Sequence, residues 1–312
     1  MKVLVVKTSS MGDVIHTLPA LSDAGKFYPD IKFDWVVEEN FAEIPAWHKL
    51  VDKVIPIALR RWRKHPLRAL KNHEWQSFYK TLKSEQYDFI IDAQGLVKSA
   101  LIACVAEGIR CGMDKYSARE LPAAYCYQRK FSISKQQHAI TRIRQLFSEV
   151  LDYKMPDDFS DYGIEVLPDK ENYLVFIHGT SRPNKLWPKD NWVALAKLAA
   201  GRGCAVKILW NNREEYDRAE YIANQSDNVQ ILAKSNLTEV ANVLSKAKGV
   251  IAVDTGLGHL AAALNVPTIS LYGPTDAKLI GTCGRSVKHL LTETPGIVDI
   301  SAAAVWEELF PS

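Results

Sequence analysis

The sequence predicts an α/β protein of two domains, each built from buried parallel strands that alternate with helices. Three observations carry this. Short apolar runs rich in branched residues recur in both halves, among them Lys2 to Val6 (KVLVV), Tyr87 to Asp92 (YDFIID), Asn172 to His178 (NYLVFIH) and Val250 to Val253 (VIAV). Apolar at successive positions, they read as strands buried on both faces. Several are followed by a loop of hydroxyls, glycines or carboxylates and then by a helical stretch, the signature of strand-loop-helix units. A polar segment without periodicity, Asp152 to Asp169, carries Pro156, Pro168 and Asp157-Asp158 and separates the halves. The expected boundaries are a first domain over 1–152, a linker over 153–170, a second domain over 171–296, and a C-terminal helix in 297–312 returning to the first domain.

The bulk properties exclude several classes. At 312 residues and 47% hydrophobic composition the chain supplies cores for two ordinary domains. A net charge of +3, with no basic tail, argues against a general nucleic-acid binder, and no nucleic-acid partner is expected. The five cysteines are scattered and lack a C-x-x-C pair, which suggests neither a zinc site nor a disulfide framework. A reducing cytoplasm is expected. Lys7-Thr8-Ser9-Ser10 interrupts the first apolar run too early for a signal peptide, and no stretch approaches a membrane-spanning helix.

In the first half, Lys2 to Val6 is a strand, Thr8 to Asp13 a loop and Val14 to Ala24 a helix with Pro19 in its early turns. The loop sets Ser9, Ser10 and Asp13 just outside the carboxyl end of the strand, where ligands of open α/β sheets bind. Asp13 fits two roles on spacing alone, a functional carboxylate and a cap for the helix at Val14. Lys32 to Val37 and Val54 to Ile57 are further strands. Arg60 to Arg68 is the densest positive cluster of the chain and contains no carboxylate. Such a run is usually a solvated face; next to a strand end it also suits phosphates or carboxylates of an acidic substrate. Trp75 to Lys83 is helical, and Tyr87 to Asp92 is a strand. Ala93 to Ser99 turns into a helix over Lys98 to Glu107, with Asp92, Gln94 and Lys98 on the same rim as Asp13. Arg119 lies in a loop, either as an anion contact or paired with Glu120 or another acid. A long helix over His138 to Leu151 closes this half.

The second half opens on the strand Asn172 to His178. Its loop, Gly179 to Pro188, holds Thr180, Ser181 and Lys185 before a helix over Lys189 to Ala200, and Trp187-Pro188 seats the helix start. Lys185 is either a point charge on a diphosphate or a surface lysine. Ala205 to Trp210 is a strand, and Glu215 beyond it suits ribose hydroxyls or the N-terminus of the helix over Tyr216 to Asn224. After the strand at Val250 comes the turn Asp254-Thr255-Gly256-Leu257-Gly258, then a helix over His259 to Leu264 and a strand over Thr268 to Tyr272. The glycines admit a close backbone approach and the helix end offers unpaired N–H groups, an arrangement suited to phosphate. Asp254 is expected to cap that helix, and His259 sits one turn in. Gly256 to Ala261 also fits the G-x-G-x-x-G/A dinucleotide fingerprint, with Asp276 some twenty residues on. Its position argues against nicotinamide binding, since too little chain follows to complete a dinucleotide domain.

Taken together, KTSSMGDVIHTLPAL, RRWRK, DAQGLVKSA, TSRPNKLWP, DTGLGHLAAAL and YGPTD resemble the lipopolysaccharide heptosyltransferase I family of Gram-negative bacteria, in glycosyltransferase family 9, over essentially the whole chain. The resemblance implies a GT-B type α/β fold, two Rossmann-like domains with parallel sheets facing across a cleft. It implies an inverting, metal-independent glycosyltransferase with no cofactor, moving L-glycero-D-manno-heptose from the substrate ADP-heptose to Kdo2-lipid A at the cytoplasmic face of the inner membrane; the sequence does not give the oligomeric state, and a monomer is expected. A heptosyltransferase acting later in core assembly is the alternative. By the same resemblance Asp13 is the general base. Thr180, Ser181, Lys185, Asp254, Thr255, Gly256 and His259 hold the donor diphosphate, and Glu215 takes the ribose. Arg60, Arg61, Arg63, Lys64 and Arg119, with Ser9 and Ser10, meet the acceptor. The chain departs from the family pattern at Asn211-Asn212 and at Ser235, which bear on the adenine end of the donor.

Overall fold

The computed structural model describes residues 1–66, 72–157, 161–165 and 169–311. Arg68, Asp158 and Pro168, each part of an expectation above, lie outside the described residues. The chain divides into two compact units, Met1–Ile164 and Glu165–Ser312.

The first unit runs β1 (Lys2–Val6), α1 (Met11–Ile15), α2 (Leu18–Phe27), β2 (Lys32–Glu38), α3 (Glu43–Ala46), β3 (Val51–Ile57) and α4 (Leu59–Lys64). It continues with α5 (Glu74–Lys83), β4 (Gln86–Asp92), α6 (Val97–Ala103), β5 (Glu107–Met113), β6 (Arg129–Phe131) and α7 (Ala139–Leu151). Its strands are all parallel, in the order β3-β2-β1-β4-β5-β6. The central strand β1 is buried from Val3 to Val6, which is why its sequence does not alternate.

Three features of this unit depart from the expectations, each for a local reason. The helix expected over Val14 to Ala24 is two helices, because Pro19 is accommodated only in a first turn and α2 restarts around it. The helix expected as far as Glu107 stops at Ala103, and Glu107 instead opens β5. β5 was hidden because Gly108, Arg110 and Gly112 break its apolar run. Gly112 has a structural reason: a Cβ there would stand 2.4 Å from the Tyr127 ring, which lies against the strand.

The second unit runs β7 (Tyr173–Ile177), α8 (Lys189–Ala200), β8 (Ala205–Ile208), α9 (Arg213–Ala223), β9 (Val229–Ile231) and α10 (Leu237–Lys246). It continues with β10 (Gly249–Val253), α11 (Gly256–Ala263), β11 (Thr268–Tyr272), α12 (Ala277–Ile280), β12 (Val287–Leu291) and α13 (Ala302–Leu309). The order β12-β11-β10-β7-β8-β9, again all parallel, is the same 3-2-1-4-5-6 winding as in the first unit when its strands are counted from β7. That winding is the Rossmann order, and the architecture is GT-B-like α/β. Trp187 is fully buried, its Nε1 donating to the Ile300 carbonyl at 2.8 Å, and Pro188 is the N-cap of α8. The last helix packs against α8 and β11 of its own unit, with Val305 in that core.

Two buried polar devices fix the first unit. Arg144 on α7 reaches Asp23 on α2 at 2.6 Å and the Pro156 carbonyl at 2.9 Å. His48, ahead of β3, accepts the Leu50 N–H on Nδ1 at 3.2 Å, so the proton sits on Nε2, 3.0 Å from Ser22 Oγ. Burial pushes its pKa from 6.5 down to about 4, against the pull of Asp161 and with the push of Lys49. Between those values the unfolded chain binds a proton that the folded chain refuses. The stability this group supplies is complete above about pH 6.5 and is lost as the pH falls to about 4, by roughly 3 kcal/mol. Urea unfolding across that range should show the loss in the wild type and a flatter profile in His48→Gln; parallel profiles would refute the assignment.

Candidate functional site

In each sheet the strand order reverses at the centre, between β1 and β4 and between β7 and β10. Connections leave in opposite directions there, and the carboxyl ends of the two strands open a crevice. The predicted site residues of each unit gather at these two places.

At the end of β1, Lys7 is buried, donates to the Ala93 carbonyl at 2.9 Å and stands 3.7 Å from Asp13 Oδ1. Asp13 is the third residue of α1 rather than its N-cap, a position held by Ser10. Its two oxygens divide the roles that spacing alone left open. Oδ2 accepts the Ser10 N–H and hydroxyl, both at 3.0 Å, and Oδ1 faces Lys7 and Arg119 Nη2, the latter at 3.3 Å. Burial works against the charged carboxylate, yet Lys7, Arg119 and the Ser10 hydrogen bonds outweigh it and hold Asp13 below the usual carboxylate range. Asp13 is therefore ionised throughout the neutral range.

The loop that carries Asp13 is clamped from β4. Gln94 Oε1 accepts the Thr8 N–H at 2.8 Å and the Ser9 N–H at 3.2 Å, while its Nε2 donates to the Ser9 carbonyl at 2.6 Å. Gln94 is set in turn by Asp92, which accepts the N–H groups of Gln94 and Gly95 and the hydroxyls of Ser99 and Tyr127 at 2.7 to 3.0 Å. Burial raises the Asp92 pKa, and those four donors oppose it. Arg119 pairs with Asp13 and not with Glu120, whose Oε2 accepts the Val97 N–H at 2.7 Å.

The basic cluster changes character on folding. Its run contains no acid, but Arg61 is held by Glu39 at 3.0 Å and Glu74 at 2.8 Å, and the Arg60 N–H by Glu38 at 3.0 Å. The Arg60 guanidinium lies 5.5 Å from the centroid of the Phe41 ring. Arg63 and Lys64 are exposed, and among the described residues neither pairs with a carboxylate. The positive charge open to a ligand thus rests on Arg60, Arg63 and Lys64, with Arg61 neutralised.

In the second unit, Asp254 was expected to cap α11, and it does not. Thr255 is the N-cap, and its side chain makes no capping hydrogen bond, so it leaves the first N–H groups of the helix to other partners. Asp254 Oδ2 instead accepts Lys185 Nζ and, at 2.5 Å, the Thr275 hydroxyl, while the Thr180 hydroxyl donates to the Asp254 carbonyl at 3.1 Å. Lys185 is thereby drawn out of bulk solvent and held beside the start of α11. Ser181 is exposed on the same loop, Gly256 opens the helix, and His259 is buried one turn in.

A hollow of about 320 Å³ adjoins this loop, lined by Gly179, Thr180, Leu186, Asn212, Glu215 and Arg218 among others. A Cβ on Gly179 would stand 2.6 Å from the Glu215 carboxylate, so only glycine leaves that acid its place. Glu215 accepts the Asn211 N–H at 2.7 Å and Asn212 Nδ2 at 3.0 Å, and Asn212 caps α9 through the Glu215 N–H at 2.9 Å. The unusual Asn211-Asn212 pair therefore orients the acid. Ser235 lies outside the hollow's lining, its hydroxyl donating to the Ala233 carbonyl at 3.0 Å.

Lys7, Tyr127, Thr275 and Arg218 were missed as contributors. Lys7 left one trace, a cation directly after a buried strand; the others contact their partners only across long sequence separations. The dinucleotide fingerprint at Gly256 follows β10, the fourth strand of its unit, whereas a nicotinamide site uses the first strand-to-helix turn. Asp276 caps α12 by accepting the Lys278 N–H at 3.0 Å, which accounts for it without a ribose.

Residues 75–302 match the model of glycosyltransferase family 9 (heptosyltransferase). The chain is 50% identical over 301 residues to lipopolysaccharide heptosyltransferase 1 of Pseudomonas aeruginosa, covering 95% of this chain and 85% of that protein. Among solved structures it is similar to Escherichia coli heptosyltransferase WaaC with ADP, at 47% identity, 98% coverage of both chains and a TM-score of 0.94. It is likewise similar to the same enzyme with ADP-2-deoxy-2-fluoro heptose, at 46% identity, 98% coverage of both chains and a TM-score of 0.90. With most of its length matched by the family model and half of its residues shared with a full-length relative, the chain belongs to glycosyltransferase family 9, the heptosyltransferases.

Proposed function

We propose that this protein transfers L-glycero-D-manno-heptose from ADP-heptose to the Kdo of Kdo2-lipid A, with inversion at the anomeric carbon, in assembly of the lipopolysaccharide inner core. The observation that carries this reading is the presence, on one heptosyltransferase-family chain, of an ionised carboxylate at one switch point and a cation beside a helix start at the other. The first is the equipment of a general base, the second that of a leaving diphosphate. The E. coli relative solved with ADP-2-deoxy-2-fluoro heptose supports the donor assignment.

In this mechanism Asp13 takes the proton of the attacking Kdo hydroxyl as the oxygen bonds to the heptose anomeric carbon and the carbon–oxygen bond to ADP breaks. Its fixed position lets the proton leave without rearrangement of the base. Arg119 and Lys7 hold the carboxylate ionised and aimed. The departing diphosphate gathers negative charge, which Lys185, the hydroxyls of Thr180, Ser181 and Thr255, and the start of α11 stabilise. Glu215 binds the ribose in the hollow beside Gly179. Arg60, Arg63 and Lys64 meet the acidic groups of the acceptor and the anionic leaflet around it. Among the described residues no helix is long and apolar enough to cross a membrane; attachment is peripheral, at the cytoplasmic face.

Incubation of the purified protein with ADP-heptose and Kdo2-lipid A in the presence of a chelator should add a single heptose to the lipid by mass spectrometry; unmodified lipid with donor intact would refute the reading. Asp13→Ala should keep ADP binding by calorimetry and lose turnover by about 10²–10⁴-fold; wild-type turnover would remove Asp13 from the mechanism. Lys185→Ala should weaken ADP binding by roughly ten- to a hundredfold, the loss of one charge-assisted hydrogen bond. Flotation with anionic vesicles should fall with added salt in the wild type and at lower salt in Arg63→Glu/Lys64→Glu.

A further inference from the structure

The loop from Gly179 to Pro188, which carries Thr180, Ser181 and Lys185, is held at its two ends by different means. Near its start the Thr180 hydroxyl donates to the Asp254 carbonyl at 3.1 Å. At its end the Trp187 indole is sunk in the core, its ring 4.9 Å from that of Trp192 and its Nε1 bonded to Ile300, while the Trp187 carbonyl accepts Arg218 Nη2 from α9. Between these lies the 3-10 turn Pro183–Lys185, in which the Lys185 N–H donates to the Arg182 carbonyl at 3.0 Å and the Leu186 N–H to the Pro183 carbonyl at 3.1 Å. Those backbone bonds close within the loop. The place of the turn relative to α9 is set from Arg218.

Arg218 stands on α9 three residues after Glu215, so both side chains leave the same face of the helix, and both line the hollow beside Gly179. Its guanidinium is half-buried, and among the described residues no carboxylate pairs with it. The acids nearby are engaged elsewhere: Asp217 pairs with Arg213 at 2.8 Å, and Glu215 accepts from Asn211 and Asn212. His178, buried at the end of β7, is held neutral, its pKa pushed down to about 4 by burial and by the Arg218 charge. A half-buried cation without a counter-ion costs stability that a neutral side chain of similar length would spare. Such a group marks a functional demand rather than a packing one.

We propose that Arg218 is a positioning residue of the donor site: its charge-assisted hydrogen bond to the Trp187 carbonyl sets the Lys185 loop against the helix that carries Glu215. One side chain thereby fixes the spacing between the acid assigned to the ribose and the lysine assigned to the diphosphate, and in naming those ligands the inference rests on the function proposed above. Lys185 is two residues from the bonded carbonyl and Glu215 three from the guanidinium, so little chain intervenes on either side. A hydrogen bond from a charged donor also holds more firmly than a neutral one. A lysine at this position keeps the charge and a donor, whereas a neutral apolar side chain keeps neither.

The test compares wild type, Arg218→Met, which keeps an apolar stem and removes the donors, and Arg218→Lys, in two measurements on the full chain. In hydrogen exchange of the donor-free protein, amides of 180–187 should exchange about tenfold faster in Arg218→Met and near the wild-type rate in Arg218→Lys, with those of β7 unchanged in both. In calorimetry Arg218→Met should bind ADP about tenfold more weakly, yet in a Lys185→Ala background the same substitution should change the affinity by less than about twofold, since it acts through that lysine. Unchanged loop exchange in Arg218→Met overturns the proposal, as does an equal rise in β7, which would make Arg218 a support of the whole fold. A tenfold loss that persists beside Lys185→Ala overturns it too, because Arg218 would then touch the nucleotide itself. Should the wild type bind no ADP, the donor reading fails on its own, and the exchange of 180–187 still decides whether Arg218 holds the loop.

Discussion

The reversal of strand order at the centre of each sheet is the constraint on which the two candidate sites depend. Parallel strands require crossover helices, and where successive crossovers leave in opposite directions no helix covers the strand ends between them. In the first unit this exposes the ends of β1 and β4, and in the second those of β7 and β10. The loops there are tied to one another rather than to solvent. Gln94 beyond β4 clamps Thr8 and Ser9 beyond β1, and Thr180 beyond β7 donates to the backbone of Asp254 beyond β10. The same winding, used twice, yields the same kind of bridge twice.

The chemistry at the two bridges differs because the charges differ in what they are bonded to. Asp13 sits between two cations and two Ser10 donors, so its charge is stabilised despite burial. Lys7 is a cation in the interior, its pKa lowered chiefly by burial and partly restored by Asp13. A carboxylate held in this way has both oxygens fixed, Oδ2 by Ser10 and Oδ1 by Arg119 and Lys7. At the second bridge the roles are exchanged: Asp254 is the support and Lys185 the group presented. Arg61 is the counter-example. It lies in the most basic stretch of the chain, yet Glu39 and Glu74 claim its whole guanidinium, and it has little charge left to offer a ligand.

Much of this was legible in the sequence. Buried central strands such as β1, β7 and β10 announce themselves because both faces are covered and apolar residues follow one another without alternation. The loops after them were recognisable for the same reason, since an abrupt change to hydroxyls, glycines and charges marks the strand end. Three strands at or next to a sheet edge were not legible. β5 mixes glycine and arginine with few apolar residues, β6 is only Arg129-Lys130-Phe131, and β12 is half-exposed, so their pairing is set by neighbours and not by their own pattern. Helix ends followed the same division. Pro19 fixed the start of α2 locally, while the end of α6 was set by where β5 had to begin.

The sequence by itself determined the alternation of strand and helix, the division into two similar halves, and the residue types available at each strand end. These are local properties, fixed by hydrophobic period, turn chemistry and backbone preference. Only the tertiary structure decided which partners each oxygen of Asp13 takes, that Arg119 chooses Asp13 over Glu120, and that Asp254 supports Lys185 and Thr275 in place of capping α11. Each of these is a choice among partners that lie close in sequence or far from it. Such choices are made by distance and burial in the folded chain, which no window of residues contains.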